Sequence, residues 1–148
     1  MEVTKWDERF LELAKSIAQW SKDPNTKVGC VIVGPDREIR TTGYNGLPRG
    51  ANDDVPERSQ RPEKLLWYEH AERNAIYNAA RTGIRLEDCW AYSTLCPCMD
   101  CARAFIQSGI RRVVAPKPDL VKYALWADSF KKSEVLFKEC GVELVYSD

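Results

Sequence analysis

Apolar residues near the start of the chain recur at spacings of four and three. Trp6, Phe10, Leu13, Ile17 and Trp20 fall on one face of a helix running roughly from Thr4 to Ser21, and the stripe predicts core packing. Ser21-Lys22-Asp23-Pro24-Asn25 ends that helix, because Pro24 restricts Asp23 and cannot continue the hydrogen-bond ladder. Val28 to Val33 is a short, β-branched apolar run that predicts a buried strand. Gly34-Pro35-Asp36 turns the chain, and Ile39 to Tyr44 returns as the second arm of an antiparallel hairpin. From Asn45 to Pro62 the pattern dissolves into Gly, Pro, Asn, Asp and Arg, a long loop of the kind that is usually functional or disordered.

Helical spacing resumes near Leu65. Ala71, Ala75, Ile76, Ala79 and Ala80 form a small-residue face through Arg81, with Gly83 as the C-terminal cap. Cys89 to Thr94 predicts a third strand. A helix beginning at Pro97 follows, burying Ala102, Phe105 and Ile106 before Ser108 and Gly109. Arg112 to Ala115 reads as a fourth strand, Phe130 to Cys140 as a last helix and Val142 to Tyr146 as a fifth strand; Asp119 to Asp128 fits no single pattern. Helix and strand alternate after residue 69, which implies parallel strands. The expected fold is α/β, a three-layer α-β-α domain over residues 1–148 with a mixed five-stranded central sheet.

Composition supports one ordinary domain: 148 residues, 44% hydrophobic and 30% charged. Twenty-two basic residues balance twenty-two acidic ones. That balance argues against a nucleic-acid partner but allows a local basic pocket. There is no apolar run of membrane-spanning length, and Met1-Glu2-Val3-Thr4-Lys5 is no signal peptide. A cytoplasmic location is expected, with the six cysteines reduced and serving as ligands and core residues.

Two short stretches add chemistry. They are His70-Ala71-Glu72 and Pro97-Cys98-Met99-Asp100-Cys101. Zinc accepts His nitrogen and Cys sulfur in tetrahedral geometry, and a catalytic site keeps one position for water. His70 is the only histidine, so it must supply any imidazole ligand and no other His can act as base. Cys98 and Cys101, three apart in a first helical turn, share a face whose positive helix end favours thiolates. Glu72 lies too close to His70 for the same face and can reach past a metal to its water. HxE upstream of PCxxC is the signature of zinc-dependent nucleobase deaminases. A closed structural zinc would need Cys96 as a fourth ligand, but Cys96 precedes Pro97 and is held extended, away from the pair. Cys30, Cys89 and Cys140 read as core residues.

The chain resembles the deoxycytidylate (dCMP) deaminases of the cytidine deaminase superfamily from about Ser21 to Tyr146. The resemblance rests on Ser21–Gly29 (SKDPNTKVG), Gly43–Gly50 (GYNGLPRG), His70–Ile76 (HAERNAI) and Pro97–Cys101 (PCMDC). It implies hydrolysis of dCMP to dUMP and ammonia with one Zn2+ per chain on His70, Cys98 and Cys101, and Glu72 as proton shuttle. It also implies that Asn45 contacts the sugar, and that backbone around Ala71 and Thr94 to Cys96 holds the pyrimidine. Lys22, Lys27 and Arg49 are candidates for the phosphate, together with Arg58 and Arg61. The resemblance further implies dCTP and dTTP effectors at Asn52, Asp53 and Asp54, flanked by Arg58 and Arg61. Mg2+ would accompany a triphosphate, and a homo-oligomer, commonly a hexamer, is expected. Two rivals remain at this stage: a dCTP or dual dCMP/dCTP deaminase, and a non-catalytic zinc-stabilised binding module with four protein ligands.

Overall fold

The computed structural model describes residues 2–148. Helix α1 (Lys5–Ala18) starts at a capping box in which Thr4 and Asp7 satisfy each other's backbone amides. Strands β1 (Gly29–Val33) and β2 (Ile39–Tyr44) form the expected antiparallel hairpin. The chain continues through a 3-10 turn (Pro56–Ser59), a short α2 (Lys64–Trp67), α3 (Ala71–Thr82) and β3 (Trp90–Ser93). It ends with α4 (Met99–Ser108), β4 (Arg112–Pro116), α5 (Ala127–Glu139) and β5 (Glu143–Ser147). The sheet order is β2-β1-β3-β4-β5, with β1 antiparallel to both neighbours and β3, β4 and β5 parallel.

Helix α1 covers one face of the sheet, where Phe10, Leu11, Ala14 and Ile17 pack on Val31, Tyr92 and Val114. The other face carries α3, α4 and α5, with Ala75, Phe105 and Phe137 against Ile32, Ala91 and Val113. This is the expected three-layer α-β-α arrangement with a mixed five-stranded sheet. The aromatic stripe of α1 is rotated from its expected position. Phe10 and Ile17 are buried, but Trp6 and Trp20 are exposed, Trp20 at 64%. Helix α1 ends at Ala18, so Trp20 lies beyond it and turns outward onto Tyr44. Small residues Ala14 and Ala18 take the buried positions because β1 passes against them. A Cβ on Gly29 would stand 2.1 Å from the Ala14 carbonyl oxygen. Gly43 of β2 plays the same part against α3, where a Cβ would lie 2.3 Å from the Ala75 amide nitrogen.

A buried ion pair joins the layers. Arg112 of β4 donates Nη1 and Nη2 to the two carboxylate oxygens of Asp7 at 2.6 and 2.9 Å, and Tyr92 donates its hydroxyl to Asp7 Oδ1 at 2.8 Å. Burial pushes the Asp7 carboxyl up, but bonds from Arg112, Thr4 and Tyr92 outweigh it and hold it at about 2, below its ordinary 3.8. A depressed carboxylate adds stability above its unfolded value, and that stability is lost as pH falls through the folded value. The parent should therefore lose about 2 kcal/mol between pH 4 and pH 2 from this group alone. Asp7→Asn leaves the buried Arg112 guanidinium with Glu143 as its remaining carboxylate, 2.9 Å from Nε, and should cost about 3 kcal/mol at pH 7. Urea unfolding of both proteins across this range checks the assignment. Equal acid sensitivity of parent and variant would overturn it.

Candidate active site

Two helix starts converge to make the site. Glu69 is drawn into a β-bridge with Gly46, its N–H donating to the Gly46 carbonyl at 2.7 Å and its C=O accepting from Gly46 at 3.1 Å. This pairing breaks the helix expected to run from Leu65. Tyr68 and His70 become extended, and α3 begins only at Ala71 with His70 as its cap residue. Cys98 likewise stands just before α4, not within its first turn. Helix α5 supports that loop: Ser129 Oγ accepts from the Met99 N–H and Ser133 Oγ donates to the Pro97 carbonyl, both at 2.8 Å.

These two breaks bring His70 Nδ1 to 3.4 Å from both Cys98 Sγ and Cys101 Sγ. Ligand distances of about 2.0 and 2.3 Å in a tetrahedral zinc site place nitrogen and sulfur about 3.5 Å apart, so the donor set and its spacing fit zinc. The three donor atoms lie within 4.8 Å of one another, and Cys96 is outside this group. Cys96 Sγ lies 3.9 Å from the Pro97 carbonyl, and burial pushes its thiol up to about 12. The thiol of Cys98 is pulled the other way. A hydrogen bond from Cys101, aided by His70 and opposed by burial, lowers it to about 4, making it a thiolate ready for a cation.

Glu72 is 4% exposed in the first turn of α3 and faces the same cleft. Burial pushes its carboxyl up to about 7, against the pull of His70. Arg73 resolves into a cross-brace: Nε donates to Glu69 Oε1 at 2.6 Å, and Nη1 pairs with Asp100 of α4 at 3.3 Å. Glu69 Oε1 also accepts from the His70 backbone at 3.0 Å. Arg73 thus ties the start of α3 to the start of α4.

The cleft gathers Asn45, Ala71, Glu72, His70 and Cys98, as expected, and also Arg61. Asn45 is more committed than a free sugar contact. Its Nδ2 donates to Asp23 Oδ2 at 3.1 Å and to the Thr26 carbonyl at 2.9 Å, and its Oδ1 accepts from Val28 at 2.8 Å. The second lone pair of Oδ1 is what it has left for a ligand hydroxyl. Thr94 does not line the cleft; its N–H and Oγ1 bind Gly29, while Leu95 and Cys96 reach the cleft in its place.

Lys22, Lys27 and Arg49 lie outside the cleft. Lys22 pairs with Asp53 on the surface at 2.5 Å, Lys27 is exposed, and Arg49 donates to Asn78 at 2.7 Å on the flank of α3. Asn52 and Asp54 belong to an exposed loop, and Arg58, in the 3-10 turn that follows, donates to the Asn52 carbonyl and lays its guanidinium on Trp67 at 3.9 Å. Sequence reasoning missed Lys64, Tyr68 and the aromatic wall of Tyr123, Trp126 and Phe130. Trp126 meets the His70 ring edge-on at 5.7 Å. Lys64 carried a usable signal, a cation six residues before His70. The wall comes mainly from the stretch that fits no periodic pattern.

Comparison with known proteins agrees with this geometry. Residues 4–117 match the family described as the cytidine and deoxycytidylate deaminase zinc-binding region. An uncharacterized deaminase of Aliivibrio fischeri is 38% identical over 97% of this chain and 95% of its own length. The human deoxycytidylate deaminase is 43% identical over 76% of this chain, and the probable deoxycytidylate deaminase of Caenorhabditis elegans 47% over 74%. The chain spans 65% and 56% of the lengths of those two. The crystal structure of a cyanophage S-TIM5 dCMP deaminase in complex with dCMP and dUMP superposes with a TM-score of 0.79 over 99% of both chains, at 24% identity, a likeness of fold. With the family matched along most of its length and the zinc donors drawn together in space, this chain belongs to the cytidine and deoxycytidylate deaminase family.

Proposed function

We propose that the cleft binds dCMP and hydrolyses it to dUMP and ammonia. One observation carries the reading: His70, Cys98 and Cys101 form a three-donor cluster, and two of its members, His70 and Cys98, line a single cleft with the buried Glu72. The relatives named deoxycytidylate deaminases support the choice of substrate. Zinc held by His70, Cys98 and Cys101 would supply the Lewis acidity that makes a water molecule nucleophilic near neutral pH. Glu72 takes a proton from the attacking water and delivers it to the ring nitrogen beside the amino-bearing carbon. The water oxygen bonds to that carbon. Glu72 then passes the second proton to the amino group, and ammonia leaves with the electrons of the broken C–N bond. A carboxyl held at about 7 can both accept and give protons near neutrality. Leu95, Trp126 and Phe130 offer apolar surface to the flat faces of the pyrimidine.

Ammonia release from dCMP, dCTP, cytidine and deoxycytidine tests the substrate. The phosphate provides binding energy that orients the ring, so its loss lowers turnover as well as affinity. The kcat/KM for dCMP should exceed that for deoxycytidine by roughly 100-fold or more. Equal efficiency on the two compounds would overturn the nucleotide assignment, and a preference for dCTP would move the protein to the triphosphate reading.

A further inference from the structure

The cleft has few cations, and the phosphate candidates suggested by the sequence mostly lie elsewhere. Two basic side chains line it: Arg61 and Lys64. Lys64 is the better placed. Its side chain is 13% exposed, and Nζ pairs at 2.5 Å with Asp23, whose side chain is fully buried. That carboxylate has no capacity to spare for a ligand. Oδ1 accepts from the N–H groups of Asn25 and Thr26, and Oδ2 accepts from Asn45 Nδ2 as well as from Lys64. The ammonium group and the carboxylate it pairs with both line the cleft. It has three N–H donors, and Asp23 Oδ2 takes one.

The shared oxygen also sets a scale. Asn45 Nδ2 lies 3.1 Å from Asp23 Oδ2, and Lys64 Nζ lies 2.5 Å from it. The two nitrogens are therefore within about 6 Å of each other, so the Lys64 ammonium and the Asn45 amide share one corner of the cleft. Asn45 keeps one acceptor lone pair for a sugar hydroxyl. Arg61 completes the set, since no described carboxylate forms an ion pair with it. Two cations line the cleft and one of them already balances Asp23, so the positive charge on offer falls well short of a triphosphate.

We infer that Lys64, seconded by Arg61 and held in place by Asp23, recognises the single 5′-phosphate of the substrate and sets the preference for a nucleoside monophosphate. This rests on the cytosine-nucleotide reading above and deepens it. A purely structural Lys64–Asp23 pair would affect all substrates alike. A phosphate-recognising Lys64 affects the monophosphate more.

The experiment uses zinc-loaded protein with Lys64→Met, Lys64→Arg and Arg61→Met, each checked for zinc content and thermal stability. The readout is the ratio of kcat/KM for dCMP to that for deoxycytidine. Charge-assisted hydrogen bonds set the expected size, so Lys64→Met should lower the ratio roughly 10–100-fold and Arg61→Met by less. Lys64→Arg, which keeps charge and reach, should restore most of it. Binding of dUMP relative to deoxyuridine, followed by calorimetry, should fall in parallel in Lys64→Met. A ratio and a dUMP preference unchanged by Lys64→Met would overturn the inference. If the parent itself fails to distinguish dCMP from deoxycytidine, the substrate reading fails before Lys64 is tested. Should Lys64→Met not fold, Lys64→Gln is measured in its place, and a retained ratio there counts equally against the inference.

Discussion

Glu72→Gln should abolish deamination while leaving the protein folded, zinc-loaded and able to bind nucleotide. The substitution preserves length and shape in the first turn of α3 and touches none of the three metal donors. It removes the one group in the cleft that can carry a proton in both directions near neutral pH. His70 is the only histidine in the chain and is committed to the donor cluster, so no imidazole stands in reserve. General acid–base catalysis contributes about 10²–10⁴-fold, and here one carboxyl serves successive transfers, so the loss should lie at or beyond the upper end. The fold should tolerate the change, because a buried carboxyl pushed up to about 7 already spends much of its time neutral. Zinc content, melting temperature with and without dUMP, and ammonia release on one preparation check all three statements. Activity within a few-fold of the parent would remove Glu72 from the mechanism and reopen the reading of a zinc-stabilised binding module.

The difference between what the sequence predicted and what the structure shows follows the range of the interactions. Strands β1 and β2 were legible almost to the residue, because a β-branched run and a Gly-Pro-Asp turn encode a hairpin locally. The donor set was legible because metal chemistry allows few residue types. Where those donors sit in their helices was not. The start of α3 depends on Gly46 pairing with Glu69 across twenty-three positions, and helical periodicity carries no trace of that bridge. The burial of Asp7 was equally hidden, since an acidic residue in a first turn, here with Glu8 beside it, reads as a capping group. Only the arrival of Arg112 from β4 shows that it is also the centre of an ion pair. The phosphate candidates Lys22, Lys27 and Arg49 lie outside the cleft for a related reason. Lys22, Lys27 and Arg49 belong to motif-bearing stretches, but the residues that structure the cleft there are the uncharged and acidic ones, Asn45 and Asp23.

Cys101→Ser and Cys96→Ser should give opposite results, although both remove a buried thiol near the same loop. Cys101 is fully buried, 3.4 Å from His70 Nδ1, and supplies one of three donors. A serine hydroxyl is a poor substitute for a thiolate toward zinc, so Cys101→Ser should purify with a small fraction of the parent's zinc and with activity near background. Cys96 is equally buried, but its sulfur lies against the Pro97 carbonyl and burial keeps its proton on. Cys96→Ser should hold the parental zinc content and most of the activity, at a cost of about 1–2 kcal/mol for placing a hydroxyl in an apolar pocket. Ligand binding to the folded state alone raises stability by mass action, so a chelator should lower the melting temperature of the parent and of Cys96→Ser. It should leave Cys101→Ser nearly unmoved. Loss of zinc from Cys96→Ser would show four protein donors on the metal. That would close the position a catalytic water needs, and with it the case for hydrolysis at this site.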